Sequence, residues 1–69
     1  MGYKVVAQMG KKIRKIRKHQ KLSQEQLSEK TGIHSTTLGR IERGESNPPV
    51  YTIYKISQAL KTPLRELFH

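Results

Sequence analysis

An all-α protein, a compact bundle of five short helices, follows from three observations on the 69 residues. Apolar residues recur at spacings of three and four, the period of a helix with one buried stripe, and no strand-like alternation runs beyond about four residues. Helix start and stop signals punctuate the chain: Ser23 ahead of Gln26, Gly32 and Gly44, then Pro48, Pro49 and Pro63. Cysteine is absent, so no disulfide framework offers a loop-rich alternative. At this length a single domain over residues 1–69 is expected, with no second domain to sense a ligand.

The first helix is expected from Val5 to about His19, where Val5 or Val6, Met9, Ile13 and Ile16 form one stripe and Lys12, Lys15 and Lys18 lie elsewhere. A basic amphipathic helix can rest on a membrane surface. This stripe is narrow, lacks Trp and Phe, and is needed for the core. The second helix opens at Ser23-Gln24-Glu25-Gln26, an S-x-x-Q capping box in which Ser23 accepts from the third helical amide and Gln26 reaches back. Leu27 is its apolar anchor, and Gly32 supplies the left-handed exit. Ile33 fills the corner. The third helix starts at about His34 or Ser35 and stops before Gly44. On a helical wheel Leu38 and Ile41 fall on one side with Thr37 beside them, and Thr36, Gly39, Arg40 and Arg43 on the other. Asn47-Pro48-Pro49 breaks the chain and starts a fourth helix to Lys61, with Val50, Ile53, Ile56 and Leu60 as its stripe and Tyr54 and Ala59 flanking. Thr62-Pro63 repeats the start signal, and Leu64, Leu67 and Phe68 form a short final turn or helix.

Charge narrows the function. The formal net charge is +9 and the pI about 10.3. Lys4, Lys11, Lys12, Arg14, Lys15, Arg17, Lys18 and Lys21 all precede residue 22, where no acid occurs, and the remainder is nearly neutral. A basic run on one helix is the electrostatic footprint of a polyanion binder. His19, His34 and His69 have no partners at ligand spacing, so no metal and no cofactor is expected. The acids Glu25, Glu29, Glu42, Glu45 and Glu66 form no catalytic motif, and there is no phosphate-cradling glycine loop or nucleophile elbow, so an enzyme is not expected. Tyr3, Tyr51, Tyr54 and Phe68 are too dispersed for an RNA-stacking platform. No apolar stretch approaches the ~18 residues of a membrane span, and no signal-peptide core is present, so a cytoplasmic location is expected.

The two short helices within about residues 24–43, joined by one glycine, have the spacing of a helix-turn-helix, whose second helix lies in the major groove of DNA. The run from Leu22 through Leu60 closely resembles the Cro/CI-type (Xre-type) helix-turn-helix family. Its most specific pieces are Leu22-Ser23-Gln24-Glu25, Thr31-Gly32-Ile33 and Ile41-Glu42-Arg43-Gly44 followed by Asn47-Pro48, and the likeness extends from about Met9 to Leu67. The resemblance implies a lambda-repressor-like five-helix DNA-binding domain that commonly binds operator DNA as a homodimer. It places Gln24 at the DNA backbone and a base beside it, Ser35, Thr36, Gly39 and Arg40 at the recognition positions, and Arg43 and Asn47 on phosphates. It also matches Arg17 and Glu42 to a structural ion pair between helices one and three. Three positions depart from the family pattern. Ser28 stands for alanine, Thr31 for an apolar residue with a less well packed corner expected, and Gly39 costs a helix interior ~0.5–1 kcal/mol relative to alanine.

The function so implied is that of a small stand-alone transcriptional regulator, repressor or activator/repressor, that binds a pseudo-palindromic operator. Double-stranded DNA and a second copy of the chain are the expected partners, with no small-molecule ligand. Below about 70–80 residues a single core rarely supplies more than ~3–5 kcal/mol, so pairing would help, and Leu64, Leu67 and Phe68 are candidates for the contact. Regulation is then expected to work through concentration and cooperative dimer binding. A protein-interaction adaptor or antitoxin-type module is the alternative.

Overall fold

Helix α1 (Gly2–His19) begins a turn ahead of its apolar stripe in the computed structural model, which describes residues 2–68. Met1 and His69 lie outside the described residues. Three further helices follow, α2 (Gln24–Thr31), α3 (Ser35–Glu42) and α4 (Val50–Ala59), and then a 3₁₀ helix at Leu64–Phe68. The described residues form four α-helices rather than five, because the expected fifth element, a short final turn or helix, is a 3₁₀ helix. Pro63 starts it as anticipated, but only five residues remain in it, and the Glu66 amide bonds the Pro63 carbonyl at 3.0 Å in the tighter i→i+3 pattern. Among the described residues no helix is long and apolar enough to cross a membrane.

The stripes meet in one core of Met9, Ile13, Leu27, Ile33, Leu38, Ile41, Ile53, Ile56, Leu60 and Leu67, with Ile16, Leu22, Ala59 and Leu64 packed against it. Helix α1 lies against α3 and the 3₁₀ helix, α2 against α3 and α4, and α4 against the 3₁₀ helix. Val5 and Val50 do not join this core: both are exposed, Val50 by 74%. The first turn of α4 is exposed at Val50 and Tyr51, and the fourth core position of α4 is instead Ser57, whose hydroxyl donates to the Tyr54 carbonyl at 2.7 Å.

Two glycines bring α1 and α3 together. A Cβ on Gly10 would collide with the Ile41 carbonyl oxygen and lie 2.9 Å from that of Glu42, so backbone here meets backbone. Gly44, at φ 75°, leaves α3 with its Cα turned so that a Cβ would sit 3.0 Å from Ala7 Cα. The exits of α1, α3 and α4 share one device. Leu22, Glu45 and Thr62 donate back to Arg17, Arg40 and Ser57 through six-residue closures, with Lys21, Gly44 and Lys61 in the left-handed region before them.

Candidate nucleic-acid interface

The turn that presents α3 is built from local hydrogen bonds. Ser23 Oγ accepts from the Gln26 amide at 3.0 Å while Gln26 Oε1 accepts from the Ser23 amide at 2.8 Å, the reciprocal box the sequence predicts. At the other end Gly32 takes φ 77°, and its amide donates to the Ser28 carbonyl. Thr31, expected to loosen the corner, ties it instead. Its hydroxyl donates to the Leu27 carbonyl at 2.8 Å and accepts from the Ile33 amide at 3.1 Å, replacing apolar contact with two hydrogen bonds. Helix α3 is capped by His34, whose Nδ1 accepts from the Thr36 amide at 3.1 Å. The side chain that starts the helix was therefore legible only as a boundary, since histidine is not among the usual capping residues.

Beneath α3 lies the ion pair that the resemblance implies. Arg17 donates from Nε and Nη2 to Glu42 at 2.6 and 2.9 Å, and from Nη1 to the Leu22 carbonyl at 2.7 Å. Gln24 Nε2 adds a bond to Glu42 at 3.1 Å. Both charged residues are buried, with 6% and 4% of their surface exposed, and the hydrogen bond to Glu42 raises the Arg17 pKa further above its ordinary value. Removing one partner of such a pair typically costs ~3–5 kcal/mol, because the other charge is left buried alone. The pair thus fastens α3 to α1 and turns the only acid of α3 inward.

The outer face of α3 is polar. Thr36, Thr37 and Arg40 are exposed and Ser35 is half-buried. Thr37 therefore belongs to the solvent side rather than beside Leu38, while Gly39 is buried, overlain by the Gln24 and Arg43 side chains. Arg43 is exposed at the C-cap and donates to both oxygens of Glu45, at 3.0 and 3.3 Å, which holds the Glu45 carboxyl below its ordinary pKa. Asn47 is exposed in the following loop. Gln24, Gly39 and Arg43 thus come together, Ser35, Thr36 and Arg40 share the α3 surface, and Asn47 stands apart on the loop. Sequence reasoning did not find Glu45 as the partner of Arg43. A pair two residues apart on a turn carries no periodic signal. Among the described residues no group of three or more His, Asp or Glu could hold a metal.

A helix-turn-helix family model matches residues 13–67. The control protein C.SmaI of Serratia marcescens is 37% identical over 59 residues, which cover 86% of this chain and 70% of that protein. The immunity repressor protein of Bacillus phage phi105 is 40% identical over 52 residues, covering 75% of this chain and 36% of the repressor. This chain therefore spans little more than a third of the repressor's length. Among solved structures, the restriction-modification controller protein C.AhdI of Aeromonas hydrophila superposes with a TM-score of 0.88 at 35% identity, over 91% of this chain and 96% of that one.

Proposed function

The chain belongs to the helix-turn-helix family, and from that membership we propose that it is a small transcriptional regulator that reads a pseudo-palindromic operator as a homodimer. Residues 1–69 act as one DNA-binding domain. The observation that carries this reading is the outer face of α3, which offers Ser35, Thr36 and Arg40 to solvent while its one carboxylate, Glu42, is buried. A face with donors and no acid can enter the major groove without repelling the phosphates on either side.

Two kinds of contact divide the work. Arg40 donates two N–H bonds from one guanidinium edge to guanine O6 and N7, and Thr36 offers a hydroxyl to a base or a methyl to thymine. Ser35 lies close to the base edges, and Gly39 acts through the Gln24 and Arg43 side chains that lie over it. Gln24, Arg43 and Asn47 hold phosphates, which gives affinity without sequence information. One copy measures only 31 × 22 × 20 Å and carries one α3. Reading two half-sites about 34 Å apart on one DNA face therefore takes two copies. Tyr51, Tyr54 and Phe68, exposed by 69%, 47% and 52%, supply apolar surface for that pairing, whereas Leu67 is fully buried in the core of its own subunit.

Selection of bound duplexes from a random pool tests the reading. It should return two inverted half-sites one helical turn apart. A parallel selection with Arg40→Ala should lose preference at one base position per half-site, with ~1–3 kcal/mol lost on the wild-type site. Asymmetric, unrepeated sites would remove the dimer, and equal loss on random DNA would reduce Arg40 to a phosphate contact. Salt-insensitive binding to a protein, without duplex preference, would favour the adaptor reading.

A further inference from the structure

Two pairs of basic residues on α1 border different grooves. One groove is a cleft of about 420 Å³ between α1, the start of α2 and α3, with Lys11 and Arg14 on one wall, Gln24 and Arg43 on the others and Gly39 on its floor. The second is a shallow groove bordered by Lys12, Lys15, Ile16 and His19, to which α3 contributes nothing.

We propose that Lys11 and Arg14, together with Arg43 across the cleft, grip one backbone phosphate of the bound duplex, and that Lys12 and Lys15 grip none. The proposal rests on the duplex-DNA reading above and adds two residues that the helix-turn-helix itself does not contain. Three features of the cleft support it. First, its only acid is already neutralised, because Glu42 takes two hydrogen bonds from Arg17 and one from Gln24 and is 4% exposed. Second, Lys11 and Arg14 are exposed and form no ion pair among the described residues, so theirs is the uncompensated charge of the cleft. Third, residue 39 has no side chain, so the Gln24 and Arg43 side chains lie directly over its backbone and Arg43 is held in the cleft. A Cβ there would lie 3.1 Å from Arg43 Nη1 and 3.6 Å from the Gln24 amide.

Position decides what this charge can reach. The cleft opens beside the face of α3 that carries Arg40, so a duplex seated on α3 brings a sugar-phosphate strand to its mouth. Lys12 and Lys15 border a groove that holds no residue of α3, so they act on that strand only through solvent, where salt screens them. Flexible cations beside the recognition face suit a phosphate rather than a base edge, so they add affinity equally on all sequences.

Two double variants that remove the same formal charge test the assignment. Lys11→Gln/Arg14→Gln and Lys12→Gln/Lys15→Gln are compared by fluorescence anisotropy across a salt series, on the selected operator and on a scrambled duplex. Loss of one phosphate contact per copy should lower the slope of log K against log salt by about 0.9 for each bound copy of the first variant, about 1.8 for the dimer, on both duplexes. At 0.15 M salt that slope corresponds to about fivefold weaker binding per copy, about thirtyfold for the dimer. The second variant should keep the wild-type slope. Equal slopes for the two variants, or an unchanged slope in the first, would overturn the proposal. Should the first variant fail to fold, Lys11→Gln against Lys12→Gln carries the same comparison. A wild-type protein that prefers no sequence would overturn the operator reading instead, and the scrambled duplex would still decide the phosphate grip.

Discussion

Gly39 shows how far a single position can be read from sequence. The wheel places it on the polar side of α3, and helix propensity marks it as costly. Neither indicates that it is buried under Gln24 and Arg43, because those side chains come from the start of α2 and the end of α3. A Cβ at residue 39 would meet Arg43 Nη1 at 3.1 Å, and Arg43 is the exposed end of a flexible side chain that can move aside. Gly39→Ala should therefore stabilise the fold by ~0.5–1 kcal/mol through helix propensity, measured by thermal or urea unfolding. The same variant should bind the operator more weakly, since Arg43 is displaced. A destabilised variant would show that the cleft is less yielding than its exposed rim implies. The Arg17–Glu42 pair was legible in another way. Neither residue announces a buried ion pair by its own spacing, and it was the family likeness that joined positions 25 residues apart.

Helices were legible wherever a stripe and a cap coincided. The Ser23–Gln26 box and the Gly32 exit define α2, and both appear with the expected donors and acceptors. Ends without a conventional signal were harder. The left-handed residues that close α1 and α4 are Lys21 and Lys61, not glycines, and the cap of α3 is a histidine. Val50 has stripe spacing yet is exposed, because period alone does not say how far a neighbouring helix extends. The least legible feature is Gly10, an interior glycine in α1 that propensity would count as a defect. By propensity alone Gly10→Ala should stabilise α1 by ~0.8–1 kcal/mol. The crossing reverses the sign, since the new Cβ would collide with the Ile41 and Glu42 carbonyls at the end of α3. Overpacking of this kind costs ~1–3 kcal/mol or more, so a net loss of stability is expected in urea unfolding. A stabilised Gly10→Ala protein would mean that α1 and α3 do not meet backbone to backbone.

Taken together, these contacts give a molecule in which α3 is held from behind. The Arg17–Glu42 pair and the Gly10 crossing fasten it to α1, the hydrogen-bonded turn fastens it to α2, and its polar face is left to solvent. The long-range charge was legible from composition, since Lys and Arg before residue 22 outnumber all acids in the chain. That Lys11 and Arg14 border a groove with α3, whereas Lys12 and Lys15 do not, was not legible, because that depends on where α3 crosses α1. Titration of isotope-labelled protein with the selected duplex, followed by amide chemical shifts, tests the central claim that α3 enters the groove. The backbone signals of Thr36, Gly39 and Arg40 should move most, with those of Lys11 and Arg14 following and those of Lys12 and Lys15 nearly still. Unmoved α3 signals alongside a response centred on Tyr51 and Tyr54 of α4 would contradict it.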